Sequence, residues 1–409
     1  MRRLLTFLAS AVLLLSVPAC DTFVEDVDDP IDTIGDEQLN DVSQVPFVIT
    51  GVEARFSTTY GFLTVFAGGL SDELIFDQRV PNATFPTFAE FDSGDIQFAN
   101  NSNDGLYNDV GELRFFADNL LERIATLEFV GEEEQAIQRE AQFVGNFYGG
   151  IARYILATYY ALTPDQPGGV ITTDPDNPGP FLPAADLYSQ ALEKLEAAKA
   201  FASDYQTRVI NTLIARIHLF QGNYGAAQTA AAAGLQEGDD PFGSLHSVDN
   251  SNYWYVQAGR GRSQFVADFV YKDYVDADPN EAARIPLDPI EGNDGTTFYR
   301  QGKYLERTDP IPLVTWQENA LILAEIDVRN GSTAPALQRV NEVRASHGID
   351  PLDSVDLDTI ALERRKELFT MGLRLVDQRR FDQWHLPAGT WQYLPLTQSE
   401  RNGNPNLGS

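Results

Sequence analysis

The residues of this chain best suited to chemistry are Asn250-Ser-Asn-Tyr-Trp-Tyr255, which set two amides beside three aromatic rings. Aromatic faces pack on the apolar C–H patches of a sugar ring, while side-chain amides bind its hydroxyls. Asn250, Asn252, Tyr253, Trp254 and Tyr255 are therefore candidate ligand-binding residues. A second stretch, residues 82–108, mixes Phe85, Phe88, Phe91 and Phe98 with Asn82, Asn100, Asn101 and Asn103, and ends near Tyr107. Asn101 and Tyr107 join the candidates on the same chemistry. An extended peptide would suit such a surface too, so the ligand class stays open between glycan and peptide. Taken singly, each of these rings would serve equally well to anchor its loop to the core.

Chemistry that makes or breaks covalent bonds has no comparable support. The chain contains no Gly-x-Ser-x-Gly elbow, no His-Glu-x-x-His and no P-loop. Gly259-x-Gly261 lacks the third glycine and the strand-to-helix setting of a phosphate-binding turn. The only histidines, His218, His246, His347 and His385, are far apart, and His218 falls inside a helix pattern between Ile217 and Leu219. No catalytic residue, metal site or cofactor is expected. Single carboxylates are plentiful, so a surface glycoside hydrolase working through an acid pair stays as an alternative.

The elements that must position these residues are clearest in residues 316–384. An apolar helix pattern from Trp316 is stopped by Gly331, and a second helix, residues 336–347, is closed by Gly348. The spacing predicts a third helix over residues 358–380. On it Glu363, Glu367, Thr370, Arg374 and Asp377 share one face, beside an apolar face of Ala361, Leu368, Gly372, Leu375 and Val376. The charged stripe reads either as a solvated ionic face or as a buried network locking this helix to its neighbours. Gly372, costly inside a helix, points to close backbone approach.

Glu363-Arg-Arg-Lys-Glu-Leu…Gly372-x-Arg374…Asp377-x-Arg-Arg380 resembles the C-terminal signature of SusD/RagB-type nutrient-binding lipoproteins. Ala324-Glu325…Gly331…Ala336-Leu337…Asn341-x-Val-Arg344 is similar to the helix pair before it, and Leu394-Pro-Leu-Thr-Gln-Ser-Glu…Asn404-Pro-Asn-Leu407 to the family's closing segment. Met371 stands where an acidic residue is usual and Phe381 where tryptophan is usual. Ser71-Asp72-Glu73 is similar to a step near which the family's ligands sit, which adds Asp72 to the candidates. The resemblance implies a mostly α fold, with tetratricopeptide-like helical hairpins forming a scaffold and long irregular loop insertions. It also implies capture of a glycan or peptide at the cell surface, and delivery to a SusC-like TonB-dependent outer-membrane transporter.

The amino terminus supports that reading independently. Arg2-Arg3 precedes an apolar run, Leu4 to Leu15, that is too short to span a bilayer, and Val17-Pro-Ala-Cys20 resembles a lipobox. Cys20, the only cysteine, is expected to carry lipid. Residues 1–19 then form a signal peptide, residues 20–41 a lipidated cysteine with an acidic tether, and residues 42–409 one SusD-like domain. Removing the signal peptide takes the net charge from −31 to −33. Such acidity excludes nucleic acid as a partner, since a polyanion needs a basic footprint. No later stretch is apolar enough to cross a membrane, so the protein is expected on the outer membrane through its lipid alone.

Between these ends the pattern predicts helices near residues 46–68, 105–127, 132–162, 183–202, 206–220 and 224–237. Leu213-x-Ala215…Leu219…Gly222-Asn-Tyr224-x-Ala226-Ala227 has tetratricopeptide character, and Leu321-x-x-Ala324…Gly331…Ala334-x-Ala336 repeats it. A tetratricopeptide-type scaffold lipoprotein for outer-membrane assembly is therefore the first alternative. Insertions at about residues 79–104, 163–183 and 239–312 are the expected carriers of recognition.

Overall fold

The computed structural model describes residues 36–174 and 176–407. The expected signal peptide, Cys20 and the tether as far as residue 35 lie outside the described residues. Among the described residues the chain is mostly helical, with fourteen α-helices and only small sheets. No helix among them is long and apolar enough to cross a membrane.

Three long helices, α1 (Val45–Leu70), α3 (Asn101–Ile124) and α4 (Gly131–Tyr159), pack side by side over the main core. The short α2 (Pro86–Ser93) lies on α1, through Phe66 stacked on Phe91 at 4.5 Å. Their starts follow local chemistry. Pro46 occupies the first turn of α1, where no backbone donor is lost. Asn100 caps α3, its side chain accepting from the amides of Ser102 and Asn103. Next come α5 (Ala184–Ala198), packed on α4, and α6 (Asp204–Phe220), opened by a Ser203/Gln206 capping box.

The two tetratricopeptide-like pairs are present. α6 pairs with α7 (Tyr224–Ala232), and α10 (Trp316–Arg329) with α11 (Thr333–Ser346). They stack through one small-residue cluster of Ala215, Leu219, Ala227, Ala231, Ile322 and Ile326. Arg216 and Glu318, both completely buried, clamp α6 to α10 at 2.6 Å.

The regions expected to be irregular contain short ordered elements. Residues 79–104 hold α2 and the start of α3. Around residues 160–183 three strands, β1 (Tyr160–Thr163), β2 (Gln166–Val170) and β3 (Phe181–Pro183), form an antiparallel meander. The third insertion carries α8 (Tyr253–Gln257), α9 (Phe269–Ala277) and a hairpin of Leu287–Glu291 with Thr297–Gln301. The remaining helix, α14 (Gln398–Gly403), follows a strand, Leu394–Pro395, that adds parallel to β1.

The helix expected over residues 358–380 is broken. It is α12 (Leu357–Glu367) and α13 (Arg374–Arg380), joined by a turn in which Thr370 and Gly372 have φ of +74° and +70°. A Cβ on Gly372 would lie 2.9 Å from the Thr64 Cα, so the close approach expected there exists, but in a turn. The charged stripe is the buried network rather than the solvated face. Glu363 takes Arg344 at 2.7 Å and Arg284 at 2.8 Å, and Arg284 also holds Glu281 at 2.7 Å. Arg364 and Arg380 both reach Asp377 at 2.8 Å. Burial alone would push the Asp377 carboxyl up, but these two guanidiniums hold it below the usual aspartate range.

Candidate functional site

The amide and aromatic cluster of residues 250–255 is laid against α1 by its own capping chemistry. The Asn252 carboxamide oxygen accepts from the Tyr255 amide at 3.0 Å, starting α8, and its Nδ2 donates to the Asp309 carbonyl at 2.8 Å. The Asn252 amide also donates to the Arg307 carbonyl at 2.8 Å. With the helix start pinned, neighbouring side chains diverge. Trp254 points inward, completely buried, and its Nε1 donates to the Thr64 hydroxyl at 2.9 Å. Tyr253 stays half-buried and lies on Phe62, ring centroids 3.9 Å apart.

Just upstream, Asn250 is fixed on the same face of α1. Its Oδ1 accepts from the Thr58 hydroxyl at 3.0 Å, and its Nδ2 donates to the Ala54 carbonyl at 3.3 Å. The result is an open cleft of about 570 Å³ between α1, α3 and residues 249–256. Three half-buried rings, Phe62, Phe116 and Tyr253, line it with Asn250, Ser251, Thr58 and Arg55. The Arg55 guanidinium is held by Asp109 at 2.6 Å and Glu112 at 2.7 Å, with Phe116 5.9 Å below it. Burial pushes the Tyr253 phenol up to about 12, so it enters the cleft as a neutral hydroxyl. Among the described residues, Asp249 is the one carboxylate that lines this cleft. Ring faces beside amide, hydroxyl and guanidinium groups can hold a neutral polyhydroxylated ligand.

The structure brings together only Asn250 and Tyr253 from the eight residues singled out in the sequence. Trp254 and Asn252 are corrections, because both side chains are completely buried and present nothing to a ligand. Tyr107 is also in the core, edge-on to Tyr160 at 5.1 Å. Asp72 is tied up by Arg374 at 2.6 Å and Arg365 at 3.0 Å. Tyr255 is half-buried outside the cleft lining, and Asn101 is exposed in the first turn of α3, away from it. Sequence reasoning missed Arg55, Thr58, Phe62 and Phe116. The signal was there: positions 55, 58 and 62 share one face of α1, and Phe115-Phe116 cannot both point into a core from one helix.

A second cavity, about 440 Å³, is lined by Lys303, Tyr304, Asp309, Thr315, Gln317 and Glu367 among others. Burial drives the Lys303 amine down to about 8, and it donates to the Phe369 carbonyl at 2.8 Å. This cavity has less ring surface than the cleft at Tyr253.

The helical layers, hairpin pairs and insertions together make this a SusD-like fold. A putative sugar-binding protein from Bacteroides vulgatus superposes with a TM-score of 0.73 at 17% identity, covering 89% of this chain and 97% of its own. A SusD-like carbohydrate-binding protein of the same organism gives 0.68 at 17%, with coverages of 90% and 97%. Surface glycan-binding protein A from Bacteroides uniformis gives 0.65 at 14%, with 89% and 98%. No family model and no curated protein matches the chain.

Proposed function

We propose that this protein captures glycans at the cell surface, without covalent chemistry, and passes them to a SusC-like TonB-dependent transporter. The observation that carries this reading is the cleft at Tyr253, where three ring faces meet amide, hydroxyl and guanidinium groups in an open, rigidly backed site. The sugar- and glycan-binding descriptions of proteins that share the fold favour a glycan over a peptide. The lipobox-like Val17-Pro-Ala-Cys20 supports a lipid anchor in the outer membrane.

The test is affinity electrophoresis through gels containing starch, laminarin, xylan, mannan or pectin, with Tyr253→Ala as the control. Retardation by at least one polysaccharide, relieved in the variant, is the expected result. A protein that none of them retards, or a wild type and variant retarded alike, would remove glycan capture at this cleft. Co-purification of a large β-barrel from mild-detergent membranes tests delivery. Periplasmic assembly components in its place would favour the scaffold alternative.

A further inference from the structure

Lys303 is set apart from the other lysines of the chain. Lys194, Lys199 and Lys366 each hold a carboxylate at 2.8–2.9 Å, and Lys272 holds Asp276. Among the described residues Lys303 alone forms no ion pair, and its partners are two backbone carbonyls, of Phe369 at 2.8 Å and Glu367 at 3.5 Å. They belong to the end of α12 and the turn after it, where the last carbonyls of a helix lack partners of their own. The buried Gln301 side chain closes the loop that carries the amine. It accepts from the Tyr304 amide at 2.9 Å and donates to the Tyr304 carbonyl at 3.1 Å. We propose that Lys303 is a nucleophilic amine, and that the cavity of about 440 Å³ beside it takes a small neutral hydroxyaldehyde as a reversible imine. This site is separate from the cleft at Tyr253 and does not rest on the glycan reading.

Three observations carry it. First, a neutral amine has two N–H groups, and the two carbonyls accept both, which leaves the lone pair free for a ligand. Second, burial opposes the ammonium more strongly than Glu367 and Glu73 favour it, and Arg284 adds repulsion, which brings the amine down to about 8. About one molecule in ten then carries the free base at pH 7, against about one in 2,500 for an ordinary lysine. Third, the lining suits a short polyhydroxylated chain. Tyr304, Asp309, Thr315, Gln317 and Glu367 offer partners for hydroxyls, and the two carboxylates disfavour an anionic ligand. Pro310, also in the lining, is exposed, so the cavity opens to solvent. In the reaction the Lys303 lone pair attacks the aldehyde carbon. The carbonyl oxygen leaves as water with the two amine hydrogens, so no oxidant or reductant is required. When protonated, the imine keeps one N–H for the Phe369 carbonyl.

The experiment treats the full chain with glyceraldehyde at pH 7 in the presence of cyanoborohydride, which reduces an imine to a stable secondary amine, and maps the labelled lysines by mass spectrometry. The other four lysines serve as internal controls. Lys303 is expected to react at least about tenfold faster than any of them, at a rate that levels off above about pH 8. Glyoxylate, an anionic aldehyde, should show no such preference for Lys303. Lys303→Arg keeps a positive donor for the α12 carbonyls and has no nucleophile, so the fast label should vanish, and its melting temperature checks that it folds. Labelling of Lys303 no faster than of the other four, or a rate still climbing at pH 10, would reduce the amine to a cap on α12 and overturn the proposal. A fast label that persists in Lys303→Arg would overturn it as well. Glyoxylate labelling with the same preference as glyceraldehyde would overturn the assignment of a neutral ligand.

Discussion

Asp72 and Arg374 stand 302 positions apart in the chain and meet through two hydrogen bonds, of 2.6 and 3.0 Å. Arg365 joins them at 3.0 Å, so one carboxylate ties the end of α1 to both α12 and α13. Burial pushes the Asp72 carboxyl up, yet the hydrogen bonds and charge of the arginines bring it below the usual aspartate range. Asp72→Ala would leave two largely buried guanidiniums without their partner. It should cost about 3 kcal/mol of stability, read in urea unfolding. A loss of glycan affinity with unchanged stability would return Asp72 to the ligand site.

Adjacent aromatic residues should separate stability from binding. Trp254→Ala empties a buried volume and removes the indole donor from the Thr64 hydroxyl, and should cost about 3–5 kcal/mol. Tyr253→Ala removes a half-buried ring from the cleft and should cost about 1 kcal/mol, while weakening glycan binding by about tenfold. Equilibrium unfolding and titration of the two variants side by side would decide. The reverse pattern would show that the wrong face of α8 had been assigned to the ligand.

Glu73 predicts a pH dependence. It is completely buried, and burial raises its carboxyl to about 7 although the Thr370 amide donates to it at 2.7 Å. Its other oxygen has no partner among the described residues. Because the folded-state value lies above the unfolded one, the folded protein holds this proton more tightly. The resulting stabilisation is complete below about pH 4 and is lost as pH rises through about 7. Glu73→Gln keeps the acceptor for Thr370 and cannot ionise. It should be more stable than wild type by about 3 kcal/mol at pH 8, and no more stable near pH 4. A difference that does not change with pH would show that Glu73 does not titrate in this range.

Two glycines with left-handed backbones separate strain from crowding. Gly331 has φ +76° with open space around it, whereas Gly372 has φ +70° and packs on the Thr64 backbone. Gly331→Ala should cost about 1 kcal/mol, for the backbone conformation alone. Gly372→Ala adds a clash with main chain and should cost at least twice as much, measured as the difference in unfolding midpoints. Equal costs would mean that α1 can retreat from the turn.

Much of the scaffold was legible in the sequence because its signals are local. Gly331 and Gly348 end α10 and α11 because a helix terminus is decided by the residues that form it. The small residues of the two hairpin pairs, Ala215, Ala227 and Ala324 among them, announce close helix packing wherever the partner lies. The break between α12 and α13 was not legible. Helical periodicity runs through it, and the turn is held by contacts from distant elements: Glu73 to the Thr370 amide and Thr64 against Gly372.

The candidate site divides along the same line. By itself, the sequence determined its chemistry: amides and rings gathered at residues 250–255, no catalytic motif, and a charged C-terminal stripe rich enough to form a network. Tertiary structure alone decided which of those side chains face outward. Tyr253 and Trp254 are chemically alike and adjacent, but α1 covers one and leaves the other beside an open cleft. Likewise Arg55 and Phe116 become part of one wall only because α1 and α3 pack together. Exposure belongs to whatever packs over a residue, and that partner is set by the folded chain as a whole rather than by neighbours in sequence.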